Sequence, residues 1–173
     1  MQDNINVKPA STRKVGVKFG LISAGIGVFI FLVLTLTGMN AFDNKWSFLH
    51  VAIGVILIIL AHKEFKQSGD GFMSYGQGVA IGFWMALVSV VIGGLFTWIY
   101  TAFIEPTAME PVYEMQRMKF EEQGMPDSQI ETSMEWMKKL FWPIYFFFGI
   151  FFSVLIAVIV SIFTQKKNPQ PVF

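Results

Sequence analysis

Few side chains in this sequence have types and spacings that suggest chemistry. His50 and His62 are the only histidines, and there is no cysteine. The histidines stand at the two ends of one apolar run, where a helix would hold them about 18 Å apart, too far to share a metal ion. Each falls near a membrane–water boundary, so the expected state is interfacial solvation rather than a proton relay. Without cysteine there are no disulfides, thiolate nucleophiles or Cys-based metal sites. Glu105, Glu110 and Glu114 come nearest to an acidic cluster. A cation site needs several oxygen ligands in fixed geometry, whereas this spacing is that of a solvated helical face. Ser23, Thr35, Ser89 and Ser153 lie in the middle of apolar runs, where a hydroxyl is expected to bond a backbone carbonyl one turn back. Gly76-x-Gly78 looks like a fragment of a dinucleotide fingerprint, but no strand–turn–helix unit surrounds it. With no nucleophile–base pair and no metal constellation, the sequence predicts neither an enzyme nor a cofactor.

The elements that must position these residues are four long apolar runs, at about residues 15–38, 46–62, 76–104 and 140–164. A helix needs roughly twenty apolar residues to cross the hydrocarbon core of a bilayer. Hydrophobic residues make up 54% of the chain and charged residues 14%, against about 25% charged in a typical soluble domain. No acidic or basic residue falls in the middle of a run. The runs do not alternate as barrel strands would, and Val51–Leu60 is apolar all round rather than amphipathic. The expected fold is therefore all-α, an integral membrane protein with four transmembrane helices. A polar tail (residues 1–14) precedes the membrane domain (15–164) and a second tail (165–173) follows it. The first run is longer than a signal-peptide core and no small-x-small site follows it, so it too is read as a span.

The segment 105–139 is the one substantial polar stretch and is expected to form a helical hairpin. Glu105-Pro106 should end the third span, because the residue before proline disfavours helix. Pro111 suits a first helical turn, Gly124 a helix end, and Ser128 with Glu131 a capping box. Glu135 and Lys139 have the favourable order for a helical ion pair. Pro143 marks a kink position in the fourth span.

Basic residues near span ends set orientation. With the N-terminus inside, the inner set is Lys8, Arg13, Lys14, Lys18, Lys63, Lys66, Lys166 and Lys167. The outer set is Lys45, Arg117, Lys119, Lys138 and Lys139. The larger set predicts cytoplasmic N- and C-termini and an extracytoplasmic hairpin. A net charge of +1 gives no electrostatic pull toward nucleic acid.

Two groups of residues suggest contacts. Gly16, Gly20 and Ala24, and likewise Gly78, Gly82 and Ala86, repeat at four-residue spacing, which lets helix backbones approach closely. The same stripe serves packing within the chain or a homo-oligomer seam. In the hairpin, Tyr113, Met115, Met118, Phe120, Met134, Trp136 and Met137 form an apolar set that can pack the hairpin together, lie on membrane lipid or meet a partner.

The order of certain motifs resembles a known family. Ser74-Tyr75-Gly76-Gln77-Gly78 with Gly82, then Ile99-Tyr100 through Ile104-Glu105-Pro106, then Glu121-Glu122-Gln123-Gly124-Met125 and Ile130-Glu131 are similar to the bacterial four-span membrane proteins grouped as domain of unknown function 4199. The likeness runs from about Lys14 to Lys167. Many relatives would carry Asp-Pro where this chain has Glu105-Pro106. The resemblance implies a multi-pass protein of the bacterial inner (cytoplasmic) membrane and carries over no catalytic residue. Together these features predict a structural or interaction subunit that self-associates or binds an envelope protein through its outer hairpin. A small oligomeric channel or transporter is the alternative.

Overall fold

The computed structural model describes residues 10–169, and the parts of the two expected tails at 1–9 and 170–173 lie outside the described residues. The chain is helical, with α1 (Thr12–Leu36), α2 (Ser47–Ser68), α3 (Tyr75–Ile99, continued by a π-helical turn Tyr100–Ile104), α4 (Glu110–Glu122) and α5 (Asp127–Thr164). Helices α1, α2, α3 with its π turn, and α5 are long and apolar enough to cross a membrane. In the most apolar stretch of each, only 28% (α1, α2, α3) or 17% (α5) is buried inside the bundle. The remaining apolar surface faces outward, which suits lipid and not water.

Local sequence explains the boundaries. Ser11 caps α1 by accepting the Lys14 N–H at 3.4 Å, so Arg13 and Lys14 are helical rather than part of a loose tail. Helix α1 ends where Gly38 takes φ +72°, a left-handed conformation costly for residues with a Cβ. The Met39 N–H then closes on the Leu34 carbonyl at 2.8 Å. Helix α2 runs six residues beyond the expected end at His62, because Lys63–Ser68 remain helical outside the apolar run. Helix α3 opens with a reciprocal capping box between Ser74 and Gln77 and stops before Pro106. Gly124, at φ +71°, ends α4.

The capping box expected of Ser128 and Glu131 does not form. Pro126 has extended backbone and occupies the cap position without a side-chain bond, which places Ser128 already inside the first turn. The second arm of the hairpin and the fourth span are one 38-residue helix that continues through Pro143. Glu135 and Lys139 do pair, at 3.8 Å and with both side chains largely exposed.

Helix α1 packs most extensively on α3, and α3 on α5; α2 closes the ring against α1 and α5. The α1 and α3 chains run parallel, since Gly16 meets Ile81 and Gly20 meets Val88. The α3 and α5 chains run antiparallel, since Gly78 meets Ser161 and Gly94 meets Phe146. The α2–α3 connection and the described ends of the chain therefore share one end of the bundle. The α1–α2 turn and the α4–α5 hairpin share the other. The buried apolar cluster lies in the first of these halves, built from Val15, Phe19, Leu57, Ala61, Phe65, Ile81, Met85 and Ala157 among others.

Candidate functional site

Two regions gather polar or exposed apolar groups, one at each end of the bundle. At the terminal end, His62 is fully buried, contrary to the interfacial solvation expected of it. Its Nε2 lies 3.0 Å from the Gly78 carbonyl and its Nδ1 lies 2.7 Å from the Thr164 hydroxyl. A carbonyl only accepts, so Nε2 carries the proton. The Thr164 hydroxyl also reaches the Val160 carbonyl at 2.9 Å. It has a single proton, and donates it to His62 when Nδ1 is bare or to Val160 when Nδ1 is protonated. The imidazole thus joins α2 to α3 and α5 with both nitrogens satisfied in either charge state. Lys66 adds a bond from Nζ to the Thr164 carbonyl at 2.9 Å. Just beyond, Met73 and Lys166 exchange two backbone hydrogen bonds of 2.9 Å. His50, in contrast, is exposed.

The small-residue stripes lie on the α1–α3 and α3–α5 seams. A Cβ on Gly16 would come within 2.6 Å of the Ile81 carbonyl and of Trp84 Cβ, and one on Gly20 within 2.7 Å of Val88 Cβ. On Gly78 it would lie 2.7 Å from Ser161 Oγ, and on Gly82 it would collide with Ala157 Cβ. Ala24 and Ala86 are buried. Ser161 is fully buried and its hydroxyl has no hydrogen-bond partner among the described residues. Thr35 and Ser89 bond their own helix, to Phe31 at 2.9 Å and Ala86 at 3.3 Å.

At the hairpin end, α4 has no buried residue and rests on α5 and the turn before it. Tyr113, Phe120, Met134 and Met137 are half-buried. Lys138 sits over the Tyr113 ring at 5.2 Å, and burial pushes the Tyr113 phenol above its ordinary range. Met115, Met118 and Trp136 face outward with 44%, 54% and 59% exposure. The hairpin is anchored from beneath by Ile130 and Met109, both buried. Glu105 accepts a hydrogen bond from the Tyr100 hydroxyl at 3.0 Å. No group of three or more metal-type ligands, from Glu105, Glu110 and Glu114 or elsewhere, comes together among the described residues.

The family model for proteins of unknown function (DUF4199) matches residues 18–166. The chain belongs to the DUF4199 family. No curated protein and no solved structure gives a match. The DUF4199 match starts at Lys18, whose Nζ pairs with Glu64 of α2 at 2.6 Å, and ends at Lys166 of the backbone bridge, so both end regions fall inside it.

The His62 node had no signal in the sequence beyond a histidine at the end of an apolar run. Its partner Thr164 is 102 residues away, and nothing local links them.

Proposed function

We propose that this DUF4199 protein is a non-catalytic subunit of a bacterial inner membrane, crossing the bilayer four times with both termini in the cytoplasm. In this reading the α4–α5 hairpin lies outside the cytoplasm and binds a protein, either a second copy or another envelope component. The observation that carries it is the outward set Met115, Met118 and Trp136 on a hairpin whose first helix has no fully buried residue. Exposed aromatic and Met side chains on an otherwise charged segment are the composition of protein interfaces. The orientation follows the excess of basic residues at the terminal end.

The test is site-specific photo-crosslinking from positions 118 and 136 in native membranes, with a tag on the C-terminal tail. The expected result is a discrete protein adduct, absent from the same probe at exposed Ile59 within α2. A monomer that yields lipid adducts alone at every position would overturn the proposal. A pore would require a continuous polar lining, and Thr35 and Ser89 already bond carbonyls of their own helices. Solute flux through reconstituted protein would reverse that preference.

A further inference from the structure

The charges of the described residues are divided between the two ends of the bundle. Arg13, Lys14, Lys18, Lys63, Lys66, Lys166 and Lys167 face only Glu64 and Asp70 at the terminal end. The hairpin segment 105–139 has eight acidic residues against four basic ones. At the basic end a cleft of about 450 Å³ opens between the α2–α3 connection and the segment after α5. Its floor is apolar, formed by Phe65 and Met73, both buried. Its rim carries Lys166 and Lys167, both exposed.

The rim is held in place. The Met73–Lys166 backbone bridge fixes the chain on both sides of the cleft, and Lys66 and His62 tie Thr164 just before it. Lys166 Nζ lies over the Phe72 ring at 5.2 Å, and the residue remains exposed to an approaching anion. Asp70, the one carboxylate in the cleft, already accepts the Phe72 N–H at 3.0 Å. One turn back along α5, Phe163 and Ile162 are exposed at 82% and 53%, on a surface that needs acyl chains if the helices span a bilayer. A ligand matching this arrangement has a negative headgroup and an apolar body.

We propose that this cleft binds the headgroup of an anionic phospholipid from the adjoining leaflet, with Lys166 and Lys167 on the phosphate and the acyl chains descending α5 past Phe163. Basic pockets between helices at a cytoplasmic membrane face bind such lipids by the same electrostatics. The inference requires that the helices span a bilayer and is independent of what the hairpin binds.

The test is lipid retention by the full chain, read by native mass spectrometry after extraction from vesicles of phosphatidylcholine with one-fifth phosphatidylglycerol. Wild type should retain phosphatidylglycerol over phosphatidylcholine. Lys166→Gln/Lys167→Gln should lower that preference about thirtyfold, the scale of two lysines near an anionic surface. Lys138→Gln/Lys139→Gln, which removes the same charge at the hairpin end, should leave it unchanged. Lys166→Arg/Lys167→Arg should restore it, which separates loss of charge from loss of fold. Equal loss in the two glutamine variants, or no preference in wild type, would overturn the proposal. Displacement of the lipid by millimolar inorganic phosphate would also overturn it, because the cleft would then be a simple anion site.

Discussion

The two halves of this bundle are built by different means. In the terminal half, glycine and alanine bring backbones together at Gly16, Gly20, Gly78 and Gly82, and a buried histidine ties three helices. In the hairpin half, most contacts are between large rings, and where a glycine is used, at Gly94, it receives the edge of Phe146 rather than another backbone. Phe31 meets Phe42, Phe96 and Tyr100 edge-on at 5.2–6.2 Å, and Phe42 reaches Phe141 at 6.5 Å. Close backbone approach leaves little room for movement, because glycine and alanine contribute few side-chain atoms that could rearrange. Aromatic edge contacts tolerate sliding, since each pair contributes only about 0.5–1.5 kcal/mol beyond its buried area. Rigidity and adaptability thus sit at opposite ends of the bundle. A fixed end suits a lasting tie to neighbouring lipid, and a looser end with exposed Met and Trp suits a partner surface.

One truncation at each end should have the largest effect. Ile81 and Ile130 are both almost fully buried, at 0% and 1% exposure. Ile→Ala typically costs about 2–5 kcal/mol, and the cost depends on how far the surroundings collapse into the space left. Ile81 sits in the close-packed cluster with Met85 and Ala157. Ile130 borders an open cleft lined by Arg117, Met134 and Lys138, whose long side chains can move in. Ile81→Ala is expected to cost about 4 kcal/mol and Ile130→Ala about 2 kcal/mol, read as unfolding free energies in mild detergent. Equal costs would remove the distinction between the ends.

His62→Ala comes next. It removes one buried and one part-buried hydrogen bond and opens a cavity, so a loss of about 3 kcal/mol is expected. The loss should be local in its first effect. Amide exchange at Gln165 and Lys166 should rise more than exchange in the hairpin. His62→Gln keeps a donor for the Gly78 carbonyl and should recover part of the protection. Exchange that rises equally in α4 would mean that the two ends unfold as one unit.

Two glycines of α3 sharpen the packing argument. Gly82 is pressed against Ala157, whereas Gly93 has nothing within 4 Å of a built Cβ. Gly82→Ala should cost about 1–2 kcal/mol by overpacking. Gly93→Ala should be neutral or stabilise by up to about 1 kcal/mol, because alanine loses less backbone entropy in a helix. Thermal unfolding of the two variants side by side decides it, and the close-approach account fails if they shift in the same direction.

These contrasts also separate what was legible in the sequence from what was not. The long helices were legible because twenty apolar residues have few other uses, and Glu105-Pro106 and Gly124 end helices through constraints of their own backbones. Ser74 and Gln77 form a capping box, while the one expected at Ser128 and Glu131 does not form. The two are alike in composition and differ in where the helix starts, which Pro126 sets two residues earlier than the pattern implies. The His62 node was not legible because it depends on which helix lies beside which. The α1–α3–α5–α2 ring brings Thr164 to His62, and hydropathy alone does not specify that order. The hairpin residues were legible as a group but not as two faces. Only the packing of Tyr113 under Lys138 divides the half-buried set from Met115, Met118 and Trp136.

The smallest expected effect probes the polar ties of the hairpin end, which unlike those around His62 are open to water. In the α1–α2 turn, Asp43 accepts the Lys45 backbone N–H at 3.0 Å, and its other oxygen lies 3.0 Å from Lys45 Nζ. The backbone N–H first, and the ammonium second, hold its carboxyl below the ordinary carboxylate range. The folded state therefore favours the ionised form. The contribution is fully present above the unfolded value of about 3.9 and is lost as pH falls through the lower folded value. Because the carboxylate is about one-third exposed, at 35%, salt should weaken the effect further. Asp43→Asn should lower the unfolding midpoint slightly at pH 6, and the gap to wild type should close below about pH 3.9. High salt should narrow the same gap at pH 6. A gap that persists unchanged at low pH would mean that the turn is held by its backbone geometry, with the Gly38 left-handed corner and the Trp46 Nε1–Asn40 carbonyl bond supplying what was assigned to charge.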